Sequence, residues 1–543
     1  CYFDVTTFDI SKSKVHSILE DTSGNLWLGV FQKGVMLIPA QTNKFNYIGY
    51  KSVKNNIIGS NYVTSICSDN KDATLWVSAD NDGIYHISLD GRQLAHFTHS
   101  EKPNSVPITV TFMLEDSQSN LWVGSYLKGL SKLNKETGEC TYITHFLDDE
   151  EAPVRSIYTL TEGPDKQIWI GTMGAGLYSM NPETLEITSH NKPRATDYTG
   201  DENQLFNYWV SSLLFTDDHK LYAGTFNGLV CLDLETHNYL TTFDAPVILQ
   251  GAVIYALHEG NENEIWAGTG DGLVRIDRKT GQTETYTTDD GLTHNAICAM
   301  RSDNSGNLWI STHYGISEFN IAERTFTNFY SDDGLQSNEF SKRSATVDRD
   351  GKIYFGGING ITYFNPRDIV YREKKPQIRI ADFYIHDQPV RKGTKSGRRT
   401  VIETSVIEAD EFRLCYEDNS FSIEFSAMEF ISPERITYLY SINGDSWISL
   451  RPGVNRVSFS QLAPGKYHFK VKAKDYNSFS DEKTITIVIS PPWYLTGWAK
   501  LIYFIIFATI AYLIATQIRQ HVRSRQEAVE HQHIKNINEA KLQ

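Results

Sequence analysis

Apolar and polar positions alternate along most of this chain in short runs, broken by glycine and aspartate turns, and one such phrase recurs eight times. It begins at Val15, Val63, Val110, Val154, Val210, Val253, Ala296 and Ser344, as in VTFMLEDSQSNLWVGSYLKGLSKL and AICAMRSDNSGNLWISTHYGISEF. Each unit centres on one aromatic: Trp27, Trp76, Trp122, Trp169, Tyr222, Trp266, Trp309 or Tyr354, spaced 43–53 residues apart. Such a period with one anchoring aromatic predicts a β-propeller whose units are four short strands. In the commonest form the first strand is V-x-S-I, the second L-W-I-G, the third G-L-x-x-L and the fourth F-x-x-Y. The turns between them use Asp, Asn and Gly, which supply Asx bonds and left-handed backbone. Six of the ten tryptophans occupy the anchor slot and read as core.

The eighth unit lacks a clear fourth strand before Pro366. An open sheet edge invites pairing with other chains, so the ring must close. Residues 45–50 can close it as seven blades, with residues 1–50 otherwise a remnant blade of a preceding propeller. Alternatively residues 2–8 close it as eight. On the seven-bladed scheme the propeller covers 51–370. A charged linker, 367–375, follows. Residues 376–490 then show period-2 strands with turns every 8–12 residues, an immunoglobulin-like or fibronectin-like sandwich. Its basic loop 391–399 reads either as a contact patch or, more simply, as a solvated hairpin tip.

Near the C-terminus the pattern changes. Residues 498–518 are almost uninterruptedly apolar, about the 20 needed to span a bilayer as a helix. Trp493, Tyr494 and Trp498 flank one end and Arg519, Arg523 and Arg525 the other, so the positive end is cytoplasmic and the propeller lies outside. Residues 519–543 read as a cytoplasmic linker helix, where Val522 and Val529 hint at a dimeric coiled coil.

Composition sharpens this picture. Of 543 residues, 51 are basic and 66 acidic, a net charge of −15, which disfavours contact with nucleic acid. With 40% hydrophobic residues, wholesale disorder is excluded. The mean hydropathy of −0.37 hides the single span. The six cysteines form no CxxC pair or zinc cluster, and Cys67, Cys231 and Cys298 read as buried small side chains. Cys1 opens in mid-strand, as in a fragment, and no signal peptide precedes residue 15. There is no GxSxG, HExxH, P-loop or Rossmann glycine pattern, and His531 and His533 diverge on a helix. The expectation is therefore no enzyme, no metal and no cofactor. A ligand would meet the connections between units, whose candidates are Arg155, Asn207, Tyr208, Trp209, His294, Asn295 and Arg343. Trp209 stands out because it lies outside the anchor slot.

The units resemble the two-component regulator propeller repeat, and GLQSNEF at 334–340 with DGKIYFGGINGITYFNP resembles the end of such a propeller. The sandwich resembles the triple-tyrosine domain, on Tyr438, Tyr440, Trp447, Tyr467 and Asn477. The tail HQHIKNINEAKLQ is similar to the helix before a sensor kinase's phosphoacceptor segment. The order of parts is similar to the glycan-sensing hybrid two-component sensors. That resemblance implies a periplasmic sensor of an oligosaccharide, anchored in the inner membrane by one span. It also implies a homodimer that controls polysaccharide-utilisation genes through a histidine kinase, and it favours seven blades. The chain itself carries no kinase core. A membrane-anchored propeller scaffold for protein partners, or a propeller-type polysaccharide lyase or hydrolase, are the alternatives.

Overall fold

The structure is a computed structural model. It describes residues 13–21, 24–38, 45–50, 56–59, 62–69, 71–143, 156–191, 205, 207–240, 248–260, 263–369, 377–428, 433, 436–475 and 478–541. The chain divides into two compact units, 1–373 and 374–543. Arg155, Asn477 and the alternative closing segment 2–8 lie outside the described residues.

In the first unit, seven four-stranded antiparallel sheets follow one another from Val63 to Phe364. Their first strands are Val63–Asp69, Val110–Glu115, Ile157–Glu162, Val210–Thr216, Ile254–Glu259, Ile297–Ser302 and Phe340–Val347. We call these the inner strands. Each lies against the next, and Phe340–Val347 lies against both Ile297–Ser302 and Val63–Asp69, so the succession returns to its start. The seventh sheet takes its fourth strand from Asn46–Ile48, which pairs with Gly360–Phe364. Phe45 fixes that strand by wedging its ring against Phe329 and Phe364, at 5.1 and 4.9 Å.

The apolar clusters explain why the units repeat. Seven of them fill the seven gaps between consecutive sheets, including one that joins Ile48, Tyr354 and Ile361 to Val63, Ile66 and Leu75. A sheet apolar on both faces is stable only between two neighbours. The anchors Trp76, Trp122, Trp169, Trp266, Trp309 and Tyr354 are all fully buried in these layers. The indole N–H groups of Trp76, Trp122 and Trp309 donate to Asp69, Asp116 and Asp303 at 3.4, 2.8 and 3.0 Å, and the Tyr354 hydroxyl donates to Asp348 at 3.0 Å. These aspartates do more than hold their turns, because each also satisfies a buried donor.

The repeat at Val15 forms a separate three-stranded sheet, Val15–Glu20, Leu26–Val30 and Gly34–Ile38. Its Ile18, Leu19 and Val35 are exposed, whereas Ile66 and Ile84 are buried in the first four-stranded sheet. Cys67, Cys140, Cys231 and Cys298 are buried thiols. Burial pushes the Cys67 and Cys298 thiols up to about 12, which leaves them protonated and inert.

The second unit contains two sheets around one apolar cluster that includes Phe383, Phe412, Phe421, Phe425 and Phe469. One has the order Gln388–Pro389, Arg379–Ile385, Phe421–Ser426, Arg456–Phe459. The other runs Glu411–Leu414, Lys483–Ile489, Gly465–Asp475, Thr437–Ile442, Ile448–Ser449, with Ser478–Phe479 beside Gly465–Asp475. The basic loop forms a ribbon of Lys395–Ser396 and Arg399–Thr400. The Tyr438 hydroxyl accepts from the Ala427 amide at 3.0 Å, and the Tyr467 hydroxyl donates to the Ala463 carbonyl at 2.8 Å. One helix, Gly497–Ala540, then runs for 44 residues, with Thr496 capping its first turn. It joins the expected span and linker without a break, and its apolar window is long enough to cross a membrane.

Candidate ligand-binding face

In an antiparallel four-stranded sheet, the second-to-third hairpin and the connection to the next sheet emerge at the same end. Here both sets of loops gather around the mouth of the inner strands. Exposed aromatics collect at that end: Tyr62 and Trp209 just before inner strands, and Tyr126 and Tyr314 in hairpins.

Trp209 is the best defined of them. The connection before it is held by backbone bonds on both sides. The Tyr208 carbonyl accepts from Gly174 and Gly176 at 3.1 and 2.9 Å, and the Trp209 carbonyl accepts from Phe226 at 3.1 Å. Gly174 has φ +92° and leaves room for the indole, whose Nε1 would sit 3.3 Å from any Cβ added there. The indole remains 44% exposed, unlike the anchors. Its ring lies 5.2 Å from Phe226, which is 5.6 Å from Tyr158 and 6.4 Å from Tyr255. A chain of aromatics thus leads inward from the rim.

At its inner end are two cations. The Arg343 guanidinium lies 3.5 Å from the Tyr158 ring centre and donates to the Tyr158 carbonyl. Lys342 Nζ lies 3.9 Å from the Tyr255 ring centre. Burial lowers the Arg343 pKa, and the nearby phenols of Tyr158, Tyr62 and Tyr255 oppose that shift. Farther along the inner strands, Arg301 donates to the carbonyls of Met300 and Ala345. Burial lowers its pKa to about 10, while burial first and Arg301 second push His258 down to about 4.

The expected site residues therefore divide. Trp209 and Arg343 are linked through Phe226 and Tyr158. Tyr208 is half-buried among Leu205, Val210 and their neighbours, and serves packing. The Asn207 side-chain oxygen is taken by the Trp209 amide at 2.9 Å, and that of Asn295 by the Thr288 amide at 2.9 Å, so both hold turns. His294 Nδ1 accepts from the Ala296 amide, and its ring lies 6.0 Å from His313. Burial, then Lys342 and then His294, hold His313 below its usual pKa, which ties this pair to the same charged patch. Arg343 is not on a connection, as the sequence had suggested. Its inner strand begins at Phe340, four residues before the repeat frame, and the residue sits within it. Tyr158, Phe226, Tyr255 and Lys342 were not foreseen. Comparing the second residue of each inner strand would have shown Tyr158 and Tyr255 as aromatics where Thr64, Thr111 and Ser211 stand elsewhere.

Comparison with known proteins places this arrangement. Residues 429–490 match the Y_Y_Y domain. The chain is 25% identical over 406 residues to histidine kinase P4 of Formosa agariphila, covering 63% of this chain and 29% of that one. It superposes on the extracellular domain of a hybrid two-component system from B. thetaiotaomicron with a TM-score of 0.68. The identity is 25%, and the match covers 88% of this chain and 62% of the other. The class so defined is the extracellular domain of a hybrid two-component sensor. This chain is similar to such a sensor region, with a match to the Y_Y_Y domain and, among the described residues, one helix long and apolar enough to cross a membrane. It spans less than a third of the length of the curated relative it matches.

Proposed function

We propose that the chain is the ligand-sensing and transmembrane-signalling part of a hybrid sensor histidine kinase, responsive to an oligosaccharide and controlling polysaccharide-utilisation genes. On this reading the seven sheets are the blades of a propeller over 51–370, closed by the strand from 45–50. The sheet at Val15–Ile38 is a remnant blade. The sandwich 376–490 connects to a span at 498–518 and a cytoplasmic linker helix at 519–543. The propeller faces the periplasm, the span sits in the inner membrane, and two copies act as a dimer.

One observation carries the reading. The connection end presents an exposed tryptophan packed against an aromatic chain that ends on a guanidinium, which is the equipment for holding a sugar ring by its apolar face and its polar groups. A sensor works only if its ligand binds one state more tightly than the other. Moving a population from 10:90 to 90:10 takes about 2.6 kcal/mol of differential binding. The test is calorimetry on the full chain in lipid nanodiscs against an oligosaccharide panel, with chromatography of the sugars afterwards. Saturable binding without turnover is expected. Product formation would instead make the chain a lyase or hydrolase, and absence of any glycan binding would favour a scaffold for proteins.

A further inference from the structure

The inner strands share a bulge near their start, visible as a register shift against the second strand in each sheet. A bulge re-aims the side chain it carries. In four sheets that side chain is short and polar: Thr64, Thr111, Ser211 and Cys298. Three of these bond the next inner strand, Thr111 to the Ile157 carbonyl at 2.7 Å, Ser211 to that of Ile254, and Cys298 to that of Phe340 at 3.2 Å. A short group at this position therefore suffices to join neighbouring strands. The third, fifth and seventh sheets carry Tyr158, Tyr255 and Arg343 instead. Arg343 adopts left-handed backbone, φ +63°, which is costly for a long side chain. It reaches from the seventh sheet to the third, and the phenols that act on it belong to the connection ends of the first, third and fifth. Only groups meeting at the common axis can do so.

These cations have carbonyls and aromatic rings as neighbours but, among the described residues, lack a matching charge. Among the described residues, nothing hydrogen-bonds the buried Nε of Arg343. Nor, among them, does either Arg343 or Arg301 form an ion pair with a carboxylate. Arg301 lies about 10 Å farther along the axis, at three strand residues of roughly 3.3 Å each, and extends the same sign inward. The acidic groups at the rim include Glu339, exposed and close enough to influence His313, and the hairpin residues Asp80, Asp82 and Asp271, of which Asp82 accepts from the Tyr85 hydroxyl. A desolvated cation without a counter-charge is costly, and a planar oxyanion can take two parallel bonds from a guanidinium. Against a chain of net charge −15, such a local excess of positive charge marks the axis as a place for an anion.

We propose that the mouth of the inner strands selects an acidic oligosaccharide, with Arg343 and Lys342 holding an oxyanion of the sugar while Trp209 and Phe226 pack against its rings. This deepens the sensor reading and rests on it. The oxyanion is a uronic carboxylate or a sulfate ester, and two sets of probes tell them apart.

The experiment is calorimetry on the full chain in nanodiscs with paired probes. Uronic oligosaccharides are compared with their methyl esters, and sulfated oligosaccharides with their desulfated forms. In at least one pair the acidic member should bind at least tenfold more tightly, and the set to which it belongs names the oxyanion. Arg343→Gln and Lys342→Gln should each cut that ratio to threefold or less. Trp209→Ala should weaken both members alike. Lys342 is a partly exposed strand residue, so its variant keeps the test open if Arg343→Gln fails to fold. Neutral members binding as tightly as acidic ones, or a ratio unmoved in both Gln variants, overturns the inference and leaves the sensor reading standing. If no oligosaccharide of either kind binds, the sensor reading fails and the inference with it.

Discussion

The two ends of the seven sheets are built from the same repeated sequence and yet look nothing alike. At the turn end the same contact recurs, an aspartate in the first turn accepting from the anchor of the second strand, as in Asp69–Trp76, Asp116–Trp122, Asp303–Trp309 and Asp348–Tyr354. Cations following the third strand add a second recurring theme. Lys135 pairs with Asp69 and Glu115, Arg278 with Asp218 and Glu259, and Arg324 with Glu264. At the connection end the residue at a given place changes from sheet to sheet: Tyr62 and Trp209 directly precede two inner strands where Thr109 and Ser156 precede two others, and Tyr126 and Phe226 share a hairpin position that holds Asp80 in the first sheet and Gly270 in the fifth. Where every unit solves one packing problem, one solution is copied. Where the units differ, packing does not dictate the residue, and recognition is free to do so. The exceptions at the turn end obey the same logic. Thr216 takes the aspartate's place in the fourth sheet, and Gly163 and Gly260 take it in the third and fifth, where among the described residues the indole N–H groups of Trp169 and Trp266 have no partner. A Cβ at either glycine would come within 2.8 or 2.7 Å of that nitrogen, so the chain there closes directly onto the ring.

The largest test of this contrast sets two tryptophans side by side. Trp122→Ala empties a fully buried slot and should cost about 3–5 kcal/mol in chemical denaturation. Trp209→Ala, at an exposed rim position, should cost under about 1 kcal/mol. Equal losses would erase the distinction between the two ends.

Next comes the ion triad. Lys135 is bonded to Asp69 and Glu115, each at 2.7 Å, with Asp69 buried and Glu115 partly so. Removing it in Lys135→Ala leaves two carboxylates without their cation and should cost about 2–4 kcal/mol at pH 7, less than a fully buried pair because the lysine is itself partly exposed. The pH dependence has a definite sign. Burial raises the Asp69 pKa, but its hydrogen bonds to Lys135, Asp72 and Trp76 outweigh that and leave it depressed. A depressed folded-state pKa contributes stability above the unfolded value of about 3.9, lost as pH falls through the folded value. Burial dominates at Glu115 and raises its pKa, so its contribution runs the other way. Without Lys135 both carboxylates protonate more readily, and the deficit of the variant should narrow as pH drops from 7 to 4. A deficit that stays constant would mean the triad contributes only packing.

Asp116→Ala should cost about 1–3 kcal/mol in thermal melts, because it orphans the Trp122 N–H and the amides of Gln118 and Asn120. Smallest of all, Asn207→Ala removes one turn bond and should shift stability by under about 1 kcal/mol, while weakening oligosaccharide binding by misplacing Trp209.

The sequence made the turn end nearly transparent. One aromatic per unit reveals the period, and the period reveals the sheets, because an anchor fixed by burial tolerates little change in spacing. The axis was harder to see. The frame drawn from Val154 placed Arg155 on a connection, and that residue lies outside the described ones, while the inner strand begins at Ile157. The frame drawn from Ser344 hid the fact that Phe340–Val347 already contains Arg343. Units that differ by a few residues in their first strand bring unrelated positions to one axis. No periodicity marks Tyr158, Tyr255 and Lys342 as neighbours. Only the closure of the inner strands does.

The central claim, that ligand meets the connection end and not the turn end, is tested most directly by hydrogen–deuterium exchange on the full chain with and without its tightest-binding oligosaccharide. Protection should appear at 207–209, 225–228 and 340–343 and leave 116–122 and 303–309 unchanged. Protection confined to those turn segments, or to the sandwich, would contradict it.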